Sequence, residues 1–432
     1  MRSSLPFART SSTWKRFANL DLSILLFSIT IQLVLGLFFG HSYDMRIFMA
    51  TGYLVGTGQN PYVPQNLTAV FNNSSFQGMT TIGYPPPWPL ILGLLYRSIY
   101  TIFPNLLVYN LAIKIPIIMA NIGLAYLVAG ILKNLGAEAV TIRRAWIFLL
   151  LCPFLLYFAS AWGQFDSIVA LFSLSSLVLL HAGKLKSSAL LLALAISFKP
   201  IALPILPVAL VYLMGKSLRQ AINYSVSFFA GVILFCVVPF ILLGWDPTPI
   251  FRGWNAQFSV GGGISFMTFL ELMKGSYQLP AQWWLLGLAW IPALGVGILA
   301  LRPGIKGFVD LLKKSTALTL VFFLTRTWLS EPNIILILPL VLILTSIGEL
   351  DKLALDAVWI LPLIFTIFNA SPPQILFPGF PEVMASLHKL AEDYRVVRLV
   401  ARIALVIPWQ IAGWWIVITL FRRSSTQATT SR

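Results

Sequence analysis

Leu20-Asp21-Leu22-Ser23-Ile24-Leu25-Leu26-Phe27-Ser28-Ile29-Thr30-Ile31-Gln32-Leu33-Val34-Leu35-Gly36-Leu37-Phe38-Phe39-Gly40 decides the fold. A bilayer takes about 20 consecutive apolar residues to cross, and this run supplies them with a single carboxylate near its entry. It releases the chain into His41-Ser42-Tyr43-Asp44-Met45-Arg46-Ile47-Phe48, which opens a long polar segment ending at Gly83-Tyr84-Pro85-Pro86-Pro87-Trp88. The rest of the chain repeats the pattern: apolar run, short polar connection, apolar run. With 58% hydrophobic and 10% charged residues and a mean hydropathy of +0.84, the 432 residues cannot cover a water-soluble globule. The expectation is an all-α, multi-pass integral membrane protein.

The formal charge of +16 would point to nucleic acid in a soluble protein. Here most of the cations lie in short connections and tails, where they set orientation and meet headgroups, so membrane lipids rather than nucleic acid are the expected partners. Arg2, Arg9, Lys15 and Arg16 hold the tail 1–19 in the cytoplasm, so the first span exits on the outer face. That span is too long for a signal-peptide core and lacks a small-residue cleavage pattern, so it stays as a helix. Eleven further spans are expected at 105–132, 144–161, 167–181, 187–198, 200–214, 221–243, 282–301, 315–329, 333–347, 353–368 and 396–420. Every second connection is basic (Lys133, Arg143 and Arg144; Lys184 and Lys186; Lys216 and Arg219; Arg302, Lys306, Lys313 and Lys314), and the tail 422–432 begins with Arg422 and Arg423. This alternation puts both termini in the cytoplasm, around a single transmembrane domain over 20–421. Cys152 and Cys236 both fall in apolar spans, which argues against a structural disulfide.

Two helices are expected in the first outer loop (41–88) and just beyond it. Met45, Phe48, Met49 and Tyr53 recur at helical spacing until the Gly58-Gln59-Asn60-Pro61 turn, predicting a short helix on the outer surface. Over 88–103, Ile91, Leu94, Leu95, Ile99 and Ile102 share one face and Gly93, Arg97, Tyr100 and Thr101 the other, predicting a helix lying in the interface. The spans 187–198 and 200–214 are short for a full crossing and leave room for a cavity near the outer face.

Ionisable groups at membrane depth are costly and mark function. Asp44 stands just past a helix end, either as a solvated partner of Arg46 or as a general base. In Trp162-Gly163-Gln164-Phe165-Asp166, Asp166 either caps the following helix or holds a polar ligand with Gln164. Lys199 and Arg326 run against the positive-inside trend. They either snorkel to headgroups or clamp a phosphate, and Lys114, two to three turns into its helix, offers the same choice. Glu331 and Asn333 add an acid and an amide for helix capping or for sugar hydroxyls, with His41 and Arg97 as weaker sugar or acceptor contacts and Trp254 and His388 weaker still. The three His have no ligand spacing and the first outer loop holds no Asp-x-Asp pair, so no metal and no cofactor are expected. Gly261-Gly262-Gly263 has no preceding strand and reads as a flexible element of an outer loop. Asn66-Leu67-Thr68, Asn72-Asn73-Ser74 and Asn73-Ser74-Ser75 are acceptor sequons on the expected outer side.

Taken in order, these segments are an acidic residue after the first helix, Gly58-Gln59-Asn60-Pro61-Tyr62, Tyr84-Pro85-Pro86, Trp162-Gly163-Gln164-Phe165-Asp166, Phe198-Lys199-Pro200 and Arg326-Thr327-Trp328-Leu329-Ser330-Glu331-Pro332-Asn333. The set resembles the GT-C superfamily of membrane glycosyltransferases, and within it the polyprenol- or dolichol-phosphate-mannose-dependent mannosyltransferases, including those of the GPI-anchor type. The resemblance implies a donor sugar carried on a polyprenyl or dolichyl monophosphate, and a lipid, glycan or protein acceptor. It implies an active site on the extracytoplasmic face of the cell membrane, or of the endoplasmic reticulum in a eukaryote. It assigns the base to Asp44, with Ser42 where some members carry a further acid. Lys199, Arg326 and Lys114 are then expected on the donor phosphate, and Gln164, Asp166, Glu331 and Asn333 on sugar hydroxyls. The reading from another class is a transporter or flippase of lipid-linked sugars, which predicts paired halves with broken helices at the midplane. Here the polar residues gather at one face instead.

Overall fold

The computed structural model describes residues 11–73, 76, 77, 81–249, 262–269, 281–369, 386 and 389–426. Trp254 and His388, most of the two tails and the Ser of the sequons at Asn72 and Asn73 lie outside the described residues.

The described chain is a helical assembly whose only strands are two-residue segments. Each expected span overlaps a helical segment, but that at 315–329 overruns its helix, which ends at Thr325, into the extended Arg326 to Leu329 segment. Among the described residues five helices are long and apolar enough to cross a membrane: Leu106–Asn134, Ala139–Trp162, Leu218–Leu243, Lys352–Asn369 and Arg395–Arg422. Six others are apolar but shorter, among them Leu22–Phe38, Asp166–His181, Leu185–Phe198 and Pro200–Met214. Helices in lipid gain nothing from hiding apolar surface against one another, so their association rests on close packing and interhelical hydrogen bonds. Gly307–Thr325 fits that rule as the central helix, buried on every side from Leu311 to Leu324.

The first helix, Ser11–Phe38, ends two residues before the helix Ser42–Gly56 is capped by His41. That second helix forms where its spacing predicts, and it is packed into the protein. Met45, Phe48, Met49 and Leu54 are fully or almost fully buried, and so are Thr51 and Gly52, because neighbours enclose it on most sides.

Beyond it, Pro87–Leu95 runs on as a π-helical turn, Tyr96–Tyr100. Part of the expected apolar face turns away from the protein. Leu94 (66% exposed) and Ile102 (64%) point outward, while Trp88, Leu92 and Gly93 are buried, Leu92 against Gly52 and Gly93 against Val55.

The triple glycine, expected to be flexible, is bridged at Gly262 and Gly263, while Gly261 lies outside the described residues. Gly262 and Gly263 form a parallel two-residue bridge with Trp328 and Leu329, with Gly262 N–H donating to Thr327 O (3.1 Å) and Ile264 N–H to Leu329 O (2.9 Å). Gly263 has φ +61°, and a Cβ there would stand 2.0 Å from Leu329 O. This bridge, with Ser265 Oγ–H donating to Thr327 O (2.6 Å), pins residues 262–265 onto the Arg326 segment. Gly263→Val is expected to release it, read as faster hydrogen exchange at the Gly262 and Ile264 amides by at least tenfold. Unchanged protection would remove the pinning role.

Candidate functional site

Asp44 lies in the first turn of its helix, where the N-terminal dipole favours a carboxylate. The backbone turns into that helix through His41, which is extended (φ −63°, ψ 119°) and whose N–H donates to Trp162 O at 3.1 Å. The His41 ring stacks on the Trp162 indole, centroids 4.0 Å apart and planes within 3°, while its Nδ1 accepts the Asp44 N–H at 3.3 Å.

Trp162 ends the π-helical stretch Leu156–Trp162, and Gly163 turns the chain sharply with φ +98°. A Cβ at Gly163 would meet Met45 Sδ at 2.5 Å and Lys114 Cε at 3.0 Å, so this turn needs glycine for its backbone and for its space. The turn aims two donors at one atom: Trp162 Nε1–H and Gln164 Nε2–H each reach Asp44 Oδ2 at 2.6 Å. His41 Nδ1 is 3.4 Å from the same oxygen. No hydrogen bond reaches Oδ1 among the described residues, and the Asp44 side chain is 20% exposed. The carboxylate is thus gripped by one oxygen and presents the other.

The floor of the site is aromatic. Trp88 stacks on Phe165 at 4.6 Å, Phe48 meets Trp88 edge-on at 5.6 Å, and Tyr84 meets Phe165 edge-on at 4.8 Å. Burial pushes the Tyr84 phenol well above its ordinary value, and the carboxylates of Asp44 and Asp166 push it the same way, so Tyr84 keeps its proton.

Asp166 is fully buried, and Lys199 Nζ donates to both its oxygens at 2.9 Å. The ammonium also lies 5.5 Å from the Tyr84 ring centroid and 5.6 Å from that of Phe165. Lys199, expected on a phosphate, is committed to Asp166, and Asp166, expected on a helix end or a sugar, is committed to Lys199. Gln164 likewise spends its amide N–H on Asp44.

Lys114 is fully buried and has no anionic partner among the described residues. Its Nζ donates to the carbonyls of Gly36 (3.4 Å), Phe39 and Ala161 (2.9 Å). Gly36 and Phe39 lie at the C-terminal end of the first helix, where carbonyls lack intrahelical partners and carry the negative end of the dipole. Asn110 Nδ2–H adds to the same end through Gly36 O and Phe39 O, both at 2.7 Å. Lys114 therefore staples helices together beneath Asp44. Lys114→Met is expected to strand these acceptors at about 1–3 kcal/mol, seen as a melting temperature lower by several degrees in detergent. An unchanged melting temperature would refute the staple.

Arg326 follows the last helical residue, Thr325, with its guanidinium 5.0 Å from the Phe322 ring centroid. It makes no hydrogen bond or ion pair among the described residues. Glu331 (2% exposed) accepts from Asn369 Nδ2–H at 2.7 Å, and Arg402 Nη1–H donates to Asn369 Oδ1 at 2.9 Å, a chain that ties three helical segments. Asn333 is buried with its Oδ1 unpartnered. Arg97 lies away from the site and donates through Nε to Gly56 O, at the C-terminal end of the Asp44 helix.

The structure thus gathers Asp44, Gln164, Asp166, Lys199 and His41 around one aromatic floor. Sequence reasoning missed Trp162 and Tyr84 as members of this group, although both stood in quoted motifs. Their partners are more than 100 and about 40 residues away respectively, beyond the reach of local spacing. Comparison with protein-family models gives no match for this chain, and neither does comparison with curated proteins.

Proposed function

We propose that this protein is a multi-pass membrane glycosyltransferase that moves a hexose, mannose by resemblance, from a polyprenyl- or dolichyl-phosphate donor to a lipid, glycan or protein hydroxyl. The observation that carries the reading is the Asp44 carboxylate, held by Trp162 and Gln164 through Oδ2 and open at Oδ1. A base must be fixed in direction and still have a lone pair to spend, and this one meets both conditions. The positive-inside pattern puts Asp44 on the extracytoplasmic face, with both termini in the cytoplasm.

In this reaction Oδ1 takes the proton of the acceptor hydroxyl as its oxygen bonds to the anomeric carbon. The bond from that carbon to the carrier phosphate breaks, the electron pair leaves with the polyprenyl monophosphate, and the anomeric centre inverts. Charge grows on the departing phosphate, and Arg326, which makes no hydrogen bond or ion pair among the described residues, is the cation proposed to meet it. Lys199 acts at one remove, holding the Phe165-Asp166 turn through which Gln164 and Trp162 are aimed.

Transfer of labelled sugar from polyprenyl-phosphate-mannose by membranes carrying the protein tests the reading, with other lipid-linked hexoses in parallel. Movement of the donor across the membrane without transfer would overturn it in favour of a flippase. Arg326→Gln is expected to raise the donor KM about tenfold or more, with a smaller change when donor is saturating. An unaltered donor KM would take Arg326 off the phosphate.

A further inference from the structure

One imidazole nitrogen beside the candidate base has two neighbours that exclude each other. The helix Ser42–Gly56 opens with backbone N–H groups that lack intrahelical acceptors, and that of Asp44 donates to His41 Nδ1 at 3.3 Å. A backbone N–H can only donate, so this bond requires a lone pair on Nδ1 and puts the ring proton on Nε2. The same Nδ1 stands 3.4 Å from Asp44 Oδ2. With the ring neutral, these two atoms are both acceptors and face each other with no hydrogen between them. A proton on Nδ1 turns that contact into a charge-assisted hydrogen bond, and does so only by giving up the Asp44 N–H, because the nitrogen has one lone pair in the ring plane.

The surroundings hold the ring where this choice acts on the carboxylate. It lies flat on the Trp162 indole, and His41 N–H donates to Trp162 O at 3.1 Å, so the ring and Trp162 Nε1–H, which grips Oδ2, belong to one stack. An indole face attracts an imidazolium through its quadrupole, so protonation does not expel the ring. The His41 side chain is 13% exposed, enough to exchange a proton with water. Its own helix adds Tyr43 and Arg46, whose Nε donates to Ser42 O at 2.7 Å. The Leu156–Trp162 stretch adds Tyr157, 6.0 Å from Trp162 between centroids, and the segment before Trp88 adds Tyr84. Lys114 lies beneath on Phe39 O and Ala161 O, and Asp166 is paired with Lys199. By residue type, only the imidazole among these groups ordinarily changes charge between pH 5 and 8.

We infer that His41 is a positioning residue for Asp44 and the pH switch of this site. Neutral, it caps the helix through the Asp44 N–H and leaves Oδ2 to Trp162 and Gln164. Protonated by water, it releases that cap and donates Nδ1–H to Oδ2, returning the proton to water when the pH rises. The bond draws the carboxylate's charge toward Oδ2 and makes Oδ1 the weaker base, so acid slows the site through His41. The effect on transfer rests on the reading of Asp44 as the base of a glycosyltransferase; the exchange of hydrogen bonds does not.

The test labels the three histidines of the full chain with nitrogen-15 and follows both ring nitrogens by NMR in detergent from pH 8 to pH 5. One imidazole, the one missing from His41→Asn, is expected to carry its proton on Nε2 alone at pH 8 and on both nitrogens at pH 5. Its midpoint should fall by about one pH unit in Asp44→Asn, which removes the carboxylate that holds the added proton. Sugar transfer from polyprenyl-phosphate-mannose is then measured over the same range, each profile divided by its own plateau. The wild type should lose about tenfold per pH unit below that midpoint, and His41→Asn, whose amide oxygen still accepts the Asp44 N–H, should move this acid limb at least one unit lower. Three imidazoles whose midpoints ignore Asp44→Asn, or a protonated Nδ1 at pH 8, would overturn the switch whatever the protein's activity. An acid limb shared by the wild type and His41→Asn would overturn its hold on the base and leave the transferase reading standing. A switch seen by NMR in a protein that transfers no sugar at any pH would overturn that reading and leave the switch.

Discussion

Asp44→Asn is expected to lower sugar transfer by about 10²- to 10⁴-fold while leaving the protein folded and at its normal level in the membrane. Asparagine matches aspartate in shape, and its carbonyl oxygen can still accept from Trp162 Nε1–H and Gln164 Nε2–H. The grip on the side chain therefore survives. The group facing the open side becomes an amide nitrogen, which has no lone pair for the acceptor's proton. Asp44→Glu keeps the base but moves it by one methylene, and should recover part of the loss. If the Asn variant transfers sugar at the full rate, Asp44 is not the base; if it fails to accumulate, the Glu variant and the melting temperature separate chemistry from folding.

The second large effect concerns the pair beneath it. Asp166→Asn or Lys199→Met alone is expected to destabilise the protein by about 3–5 kcal/mol, because each leaves a buried charge without its partner. Asp166→Leu combined with Lys199→Met should recover much of that stability, since desolvating the intact pair already offsets most of its attraction. Transfer should not recover with it, because the double variant loses the ion pair that holds the turn behind Gln164. Melting curves and transfer rates on the same preparations check both halves. Single variants that melt normally would show that the pair does not hold the turn; a double variant that melts as low as the singles would show that its partners act separately. Recovery of transfer together with stability would show that the pair serves folding alone.

Part of the site was legible beforehand. Asp44 was singled out because a carboxylate just past a membrane helix is conspicuous, and the Trp162 to Asp166 segment because five residues of such polarity rarely separate two apolar spans. The roles within it were less legible. Lys199 and Lys114 both looked like cations in search of a phosphate, yet one is matched by a carboxylate 33 residues earlier in the chain and the other by backbone carbonyls of two different segments. Backbone acceptors leave no trace in a sequence, so a lysine that caps helix ends cannot be told from one that awaits a ligand.

What the sequence determined by itself was the all-helical, membrane-embedded class and the positions of the apolar helices. It also placed the polar segments at helix ends. These follow from local quantities, the run length of apolar residues and the sign of charge in each connection, which neighbours in space do not alter. Only the tertiary structure decided that Asp44 shares one oxygen with Trp162 and Gln164, that Lys199 belongs to Asp166, that Arg326 is left over, and that the glycines at 262 and 263 lock onto Trp328 and Leu329. Hydrogen bonds and ion pairs act over a few ångströms between residues that can be a hundred apart in sequence, so which donor meets which acceptor is fixed only when the helices have packed.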